Sequence, residues 1–126
     1  MSRILVIDDD DGTRKFLRVL LSRAGFDVME APDGSMALKT VQECAVDLVV
    51  CDIFMPNKEG LETIRELRAR FADLPIIAIS GGERWGSRLD MLPTASVLGA
   101  TRTLYKPFEW PDFLQLVQEC LEGGNR

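Results

Sequence analysis

The sequence of 126 residues contains no histidine and only three cysteines, Cys44, Cys51 and Cys120. Without histidine, neither imidazole acid–base catalysis nor a histidine-ligated metal site is available to this chain. No two cysteines form a C-x-x-C pair, and their odd number does not suit a disulfide framework or a zinc site. Free thiols are typical of a reducing compartment, so we expect a cytoplasmic protein.

The chain also lacks a long apolar run and an excess of basic residues. It has no run of about 18 apolar residues, and a strand-like segment follows Arg3 directly, so we expect neither a membrane span nor a signal peptide. The net charge of −5, without a basic stripe, argues against nucleic-acid binding. Arginines on helix-like segments are interpreted as solvated surface. They are Arg14, Arg18, Arg23, Arg65, Arg68 and Arg70.

Five segments have the composition of β-strands. Three are short, continuous apolar runs rich in β-branched residues, which is typical of parallel strands buried on both faces. The other two are weaker. In chain order, the predicted strands are Ile4–Ile7, Asp27–Glu30, Val46–Cys51, Ile76–Ile79 and Thr101–Tyr105.

Helical stretches separate these strands. In the first, apolar residues from Phe16 to Ala24 share one face and Gly25 can end the helix. Asp33 is a candidate N-cap for the second, whose inward face begins with Met36. Three more helices are predicted. The third contains Leu61 to Phe71, the fourth runs from Leu92 to Leu98 and ends at Gly99, and the last runs from about Glu109 to Leu121.

Five alternating strand–helix units predict a single α/β domain with a doubly wound, five-stranded parallel sheet and right-handed crossovers. A hydrophobic content of 46% is enough for its core. Nothing in the sequence resembles an internal repeat or a linker. We predict one domain over residues 1–122 and a frayed tail over residues 123–126.

Polar residues end four of the predicted strands, and ligands of open α/β sheets bind at that edge. These residues are Asp8 to Asp11, Asp52, Ser80 and Lys106. Taken singly, Asp10 or Asp11 can cap a helix, Ser80 can be a turn residue and Lys106 an ion-pair partner. Asp52 is harder to explain in this way, because a carboxylate at the end of a buried strand is costly unless it is paired.

Together, these residues predict a site for phosphoryl transfer. Clustered carboxylates repel one another unless a cation neutralises them, and oxygen-only ligands suit Mg²⁺. A nearby lysine adds a fixed positive charge for a phosphoryl oxygen. Phosphoryl-transfer sites act mainly through positioning and charge neutralisation.

A set of motifs in this order resembles the receiver domain of two-component response regulators. The motifs are Ile4–Asp10, Asp47–Pro56, Gly60-Leu61, Ser80 and Lys106-Pro107-Phe108, which together span almost the whole chain. The resemblance implies a flavodoxin-like fold with strand order 2-1-3-4-5 and a stand-alone, chemotaxis-type regulator. It also implies a protein that catalyses only its own phosphorylation and dephosphorylation.

The resemblance implies a role for each site residue. Asp52 would accept a phosphoryl group from a phosphohistidine on a sensor histidine kinase or a histidine phosphotransfer protein. Ser80 would bind a phosphoryl oxygen, and Lys106 would pair first with Asp52 and then with the phosphate. The Lys106–Pro107 peptide bond would be cis.

The resemblance also implies the ligands of a Mg²⁺ ion. Asp9 and Asp52 would bind it directly, Asp8 would act through a bound water, and the backbone carbonyl of Phe54 would complete the protein ligands. Thr103 departs from the family pattern. Other receiver domains often carry at that position an aromatic residue that acts as a switch.

The negative charge that phosphorylation adds would pull Ser80 and Lys106 inward, and this predicts a switch in the surface. Phosphorylation would re-pack residues 81–99. The output surface would consist of this segment, the Thr101–Tyr105 edge and the last helix. Trp85 and Trp110 are candidate contacts with a downstream protein, although one of them can equally be buried in the core and the other partly exposed. The regulator would be a monomer or a phosphorylation-linked dimer.

Three other functions stay open at this point. A phosphatase of the haloacid dehalogenase type would need a second aspartate where this chain has Phe54. A receiver fold can also serve as an interaction module without phosphorylation, although such proteins usually lose an acid or the lysine. A transcription factor is disfavoured, because no DNA-binding domain follows in this sequence, unless the sequence is a piece of a longer protein. It could equally be one receiver of a hybrid kinase.

Overall fold

The computed structural model describes residues 1–53, 59–80 and 92–124 and contains a five-stranded parallel sheet. Its strands are β1 Arg3–Ile7, β2 Asp27–Ala31, β3 Leu48–Asp52, β4 Ile76–Ser80 and β5 Arg102–Tyr105. The strand order is β2-β1-β3-β4-β5, and every neighbouring pair is parallel. The predicted fold class and strand order are therefore confirmed.

Five helices alternate with the strands. They are α1 Asp11–Arg23, α2 Gly34–Glu43, α3 Glu59–Arg70, α4 Leu92–Leu98 and α5 Trp110–Gly123. The side chains of Asp10 and Asp33 accept hydrogen bonds from the amides of Thr13 and Met36, so both act as N-caps. Asp33 was predicted in this role, and of the two candidates Asp10 and Asp11 it is Asp10 that caps α1. The bounds of α4 are the predicted ones, and α5 extends two residues beyond Leu121. No helix among the described residues is long and apolar enough to cross a membrane.

The sheet separates two apolar clusters, because alternate residues of each strand face opposite sides. Leu5 and Ile7 of β1 pack with residues of α2, α3 and α4. Ile4 and Val6 pack on the other side with residues of α1 and α5, including Phe113. Every residue of β3 and β4 is buried, which explains their continuous apolar sequences.

Two side chains that we predicted on buried helix faces are exposed. Phe16 is 62% exposed and Met36 is 48% exposed. In α1 the buried residues are Arg14, Leu17 and Leu21, which share one face at helical spacing. The apolar stripe of α1 is therefore narrower than predicted, and an arginine occupies one of its positions.

Arg68 was also predicted to be solvated surface, but it joins two parts of the chain. Its guanidinium donates to the carbonyls of Phe71 and Ala72 beyond α3, each at 2.9 Å. It also donates to the carbonyl of Gly99 beyond α4, at 3.0 and 2.8 Å. Gly99 has a φ of 130°, and a Cβ there would lie 2.7 Å from the Arg68 side chain, so a glycine is required. Arg68 thus fixes where α4 ends relative to α3.

The beginning of α3 packs directly on the end of β3. A Cβ on Gly60 would lie 2.4 Å from the Cα of Ile53 and 2.6 Å from the carbonyl oxygen of Asp52. Both contacts are with backbone. We therefore expect Gly60→Ala to lower the free energy of unfolding by about 1–3 kcal/mol, as overpacking does.

Urea denaturation measures this change, with Gly12→Ala as the matched control. The nearest atom to a Cβ on Gly12 would be 3.7 Å away, so alanine there should leave stability unchanged or raise it by up to about 1 kcal/mol. Equal stabilities for the two variants would contradict the close packing at Gly60.

Candidate functional site

The candidate site lies at the carboxyl ends of the two central strands. Ile7 of β1 is paired with Cys51 of β3, so Asp8 and Asp52 emerge at the same level. Asp9 follows in the chain. The strand order reverses between β1 and β3, and this is where open α/β sheets bind ligands.

Four of the predicted site residues meet at this edge. Carboxylate oxygens of Asp8, Asp9 and Asp52 all lie within 4.8 Å of one another. Asp8 and Asp52 are buried, at 2% and 8% exposure, whereas Asp9 is exposed. Lys106 Nζ lies 3.6 Å from Asp52 Oδ2 and 3.8 Å from Asp8 Oδ2. Three ionised carboxylates with one ammonium leave a negative balance, and this oxygen donor set fits Mg²⁺.

The carboxyl group of Asp8 is held firmly and has a shifted pKa. Burial raises its pKa to about 6, and the charges of Asp52 and Asp9 act in the same direction. A hydrogen bond of 2.9 Å from the Asp10 amide to Oδ1 and the charge of Lys106 oppose this shift. Because the pKa is nevertheless raised, the lysine alone does not offset the cost of burying this charge.

Ser80 and Lys106 reach the edge from the ends of β4 and β5. Ser80 is buried, at 5% exposure, and is paired with Tyr105 in the sheet. The Lys106 amide donates to the Ser80 carbonyl at 2.8 Å, which extends the ladder by one residue. The Lys106–Pro107 peptide bond is cis, as the resemblance implied.

Cys51 precedes Asp52 but takes no part in the site. Its Sγ lies 3.5 Å from the carbonyl oxygen of Asp52 and 3.9 Å from that of Gly60. Burial raises the pKa of the Cys51 thiol far above its ordinary value, and the charges of Asp52 and Asp8 raise it further. The thiol therefore stays protonated and offers neither a nucleophile nor a metal ligand.

The remaining predicted residues are either outside the described residues or packed against the core. Phe54, the predicted carbonyl ligand, and residues 81–91, which include Trp85, lie outside the described residues. Trp110 is half-buried against the core, and its ring centroid lies 5.5 Å from that of Phe113. Much of the Trp110 ring therefore packs inward rather than facing a partner.

Arg14, which its sequence pattern assigned to solvated surface, lies buried beside the site. The residue is 8% exposed, and its Nη1 donates to the carbonyl oxygen of Asp8 at 2.7 Å. Its Nε pairs with Glu30 Oε1 at 3.0 Å. The i, i+3, i+7 spacing of Arg14 with Leu17 and Leu21 was a signal that it shares their buried face.

A groove of about 610 Å³ lies at the opposite end of the sheet. Its lining includes Asp47 and Pro75, which precede β3 and β4, together with Cys44 and Cys120. It is therefore remote from the acidic cluster. Within the described ranges, Asp8, Asp9 and Asp52 form the one group of three side chains arranged to hold a metal ion.

Residues 4–118 match the family described as the response regulator receiver domain. The match covers most of the chain, so this protein belongs to that family. Phosphorylation and Mg²⁺ binding at an acidic pocket are general features of receiver domains, which are phosphoacceptor regulators rather than conventional enzymes. Response regulators receive phosphate from sensor histidine kinases.

Individual relatives agree with this assignment. Response regulator MprA of Mycolicibacterium vanbaalenii is 38% identical over 94% of this chain and 50% of its own length. Transcriptional regulatory protein CpxR of Klebsiella pneumoniae is 39% identical over 99% of this chain and 51% of its own. The chain thus spans about half the length of these curated relatives.

Among solved structures, response regulator protein TrrA of Thermotoga maritima, in complex with Mg²⁺-BeF, is similar to this chain with a TM-score of 0.80. The two are 32% identical, and the alignment covers 94% of this chain and 98% of TrrA. The similarity therefore extends over nearly the whole of both chains.

The raised pKa of Asp8 predicts how the metal-free fold depends on pH. The folded-state pKa of about 6 exceeds the ordinary value of 3.8, so this group destabilises the fold as the pH rises through that interval. Asparagine cannot ionise. In EDTA at pH 7.5, we expect Asp8→Asn to raise the free energy of unfolding by about 1–3 kcal/mol.

Urea denaturation at several pH values tests this expectation, and the gain should nearly vanish at pH 4. Asp73→Asn, in an exposed loop, serves as the control and should change stability by less than about 0.5 kcal/mol. A gain that persists unchanged at pH 4 would show that it does not come from the titration of Asp8.

Proposed function

We propose that this receiver domain accepts a phosphoryl group on a carboxylate oxygen of Asp52, in a reaction that requires Mg²⁺. The observation that carries the proposal is the convergence of Asp8, Asp9, Asp52 and Lys106 at one edge of a buried sheet. The similarity to TrrA, which was solved with Mg²⁺-BeF, supports it.

The proposed donor is a phosphohistidine of a sensor histidine kinase or a histidine phosphotransfer protein. A carboxylate oxygen of Asp52 forms a bond to phosphorus while the phosphorus–nitrogen bond of the donor breaks. The electron pair of that bond stays on the imidazole nitrogen, which takes up a proton. Hydrolysis of the resulting acyl phosphate later restores the Asp52 carboxylate and releases phosphate.

The proposed cation ligands are Asp9, Asp52, Asp8 through a bound water, and the backbone carbonyl of Phe54, which lies outside the described residues. A bound Mg²⁺ supplies positive charge for the carboxylates and for the incoming phosphoryl oxygens. Asp9 is exposed whereas Asp8 and Asp52 are buried, so the cluster is accessible from the solvent side.

Lys106 and Ser80 complete the proposed site. The Lys106 ammonium already lies within 4 Å of both Asp8 and Asp52, so it can contact a phosphoryl oxygen attached to Asp52. Ser80 ends the strand next to β3, and its hydroxyl is a suitable hydrogen-bond donor to another phosphoryl oxygen. Lys106 would pair more strongly with a phosphoryl group, which carries a larger negative charge, than with the free carboxylate.

The proposed output surface comprises the segment after Ser80, α4, β5 and α5. Two large apolar side chains are exposed there, since Val97 of α4 is 86% exposed and Tyr105 of β5 is 49% exposed. Phosphorylation would shift the population of packings that these elements adopt and so change the binding of a downstream protein or of a second copy. The domain division at residue 122 and a cytoplasmic location stay predictions.

Intact mass after incubation with acetyl phosphate and Mg²⁺ tests the phosphoacceptor. We expect one phosphoryl adduct that requires Mg²⁺, is absent from Asp52→Asn and is retained by Asp112→Asn, whose carboxylate is exposed on α5. A wild type that binds Mg²⁺ but forms no adduct would instead favour an interaction module that acts without phosphorylation.

The role of Lys106 is tested by Lys106→Met, which keeps much of the side-chain length and removes the charge. We expect phosphorylation by acetyl phosphate to slow by about 10- to 100-fold, because a charge-stabilising donor is lost from the transition state. Lys39→Met, on the exposed face of α2, is the matched control. Equal rates for the two variants would remove Lys106 from the proposed chemistry.

A further inference from the structure

Arg14 is a buried cation that contacts the backbone of the acidic cluster. It lies in the first turns of α1, and its Nη1 donates to the carbonyl oxygen of Asp8 at 2.7 Å. Its Nε pairs with Glu30 Oε1 of β2 at 3.0 Å, and its Nη2 pairs with Asp11. One planar guanidinium thus joins β1, β2 and α1.

The charge of Arg14 is largely offset by its own neighbours. Glu30 pairs with Arg14 through one oxygen and with Arg18 through the other, the latter at 2.9 Å. Together with Asp11, the set contains two cations and two anions. Arg14 therefore adds little net positive charge to the metal site, and what it supplies is a directed hydrogen bond to a backbone carbonyl.

That carbonyl lies just beyond the paired part of β1. The Asp8 amide still donates to the Ala31 carbonyl of β2, at 3.2 Å, but the pairing of β1 with both β2 and β3 ends at Ile7. Arg14 therefore supplies a hydrogen-bond donor to a carbonyl that follows the last paired residue of the strand. Because the Asp8 carbonyl and the Asp9 amide share one planar peptide, holding the former orients the latter.

We propose that Arg14 is a positioning residue for the divalent-cation site, acting by fixing the peptide between Asp8 and Asp9 and hence the directions of their carboxylates. The inference rests on the proposed function, since that function uses the site. Mg²⁺ demands near-ideal octahedral ligand geometry, whereas Ca²⁺ accepts irregular arrangements. A positioning role therefore predicts a larger loss of affinity for Mg²⁺ than for Ca²⁺.

Isothermal titration calorimetry with each ion alone tests the inference on the full chain. We expect Arg14→Met and Arg14→Lys each to raise the dissociation constant for Mg²⁺ about 10-fold, as loss of a group that orients metal ligands does. The rise for Ca²⁺ should stay within about 3-fold. Arg18→Met is the matched control, because Arg18 pairs with Glu30 but does not contact Asp8, and it should bind both ions as the wild type does.

The lysine variant separates geometry from charge and keeps the test usable if Arg14→Met fails to fold. Lysine retains the positive charge but has no planar fork to reach the Asp8 carbonyl and Glu30 together. Wild-type Mg²⁺ affinity in folded Arg14→Lys, or an equal loss for Mg²⁺ and Ca²⁺, would overturn the inference.

Titration and phosphorylation of the same variants distinguish a failure of this inference from a failure of the proposed function. A wild type that binds Mg²⁺ without forming a phosphoryl adduct overturns the proposed function alone. If it does form the adduct, saturating Mg²⁺ should return the phosphorylation rate of Arg14→Lys to within about 3-fold of wild type. A slow rate at saturation would mean that Arg14 acts on the reaction itself, and the inference would be wrong.

Discussion

Repulsion among carboxylates is the constraint around which this structure is organised. Asp8, Asp9 and Asp52 lie within 4.8 Å of one another, and two of them are almost fully buried. At about 4 Å and an effective dielectric constant of about 20, two like charges repel by about 4 kcal/mol. Lys106 offsets part of this repulsion, yet the pKa of Asp8 is still raised to about 6. The site is therefore poised to gain from a further cation.

The surrounding fold prevents the carboxylates from relieving this repulsion by moving apart. Asp52 ends a strand that is buried along its whole length, and Gly60 lets α3 press on its backbone. Asp8 accepts hydrogen bonds at its carbonyl from Arg14 and at its carboxylate from the Asp10 amide. Because these carboxylates are already held in place, the proposed binding of Mg²⁺ would need little reorganisation of the site.

Local patterns were enough to predict the strands, their alternation with helices and the residues that end them. Strand order came from the family resemblance, and the convergence of Asp8, Asp52 and Lys106 followed because the carboxyl ends of parallel strands share one edge. The predicted burial of Phe16 and Met36 was wrong, because apolar periodicity indicates which face of a helix is buried but not how wide that face is. How wide a stripe the sheet covers depends on neighbouring elements, which the sequence of one helix does not contain.

Arg14 and Arg68 were both wrongly predicted to be solvated, and the physical reason is the same for both. Each donates to backbone carbonyls where regular hydrogen bonding ends: Arg14 just beyond β1, and Arg68 beyond α3 and α4. Such carbonyls need donors, and a guanidinium offers five. The partners that tie each arginine to another part of the chain are distant in sequence, 16 residues for Arg14–Glu30 and 31 for Arg68–Gly99, so the sequence of one helix does not indicate them. In this fold an arginine that shares a helix face with buried apolar residues is better assigned to the ends of strands and helices than to solvent.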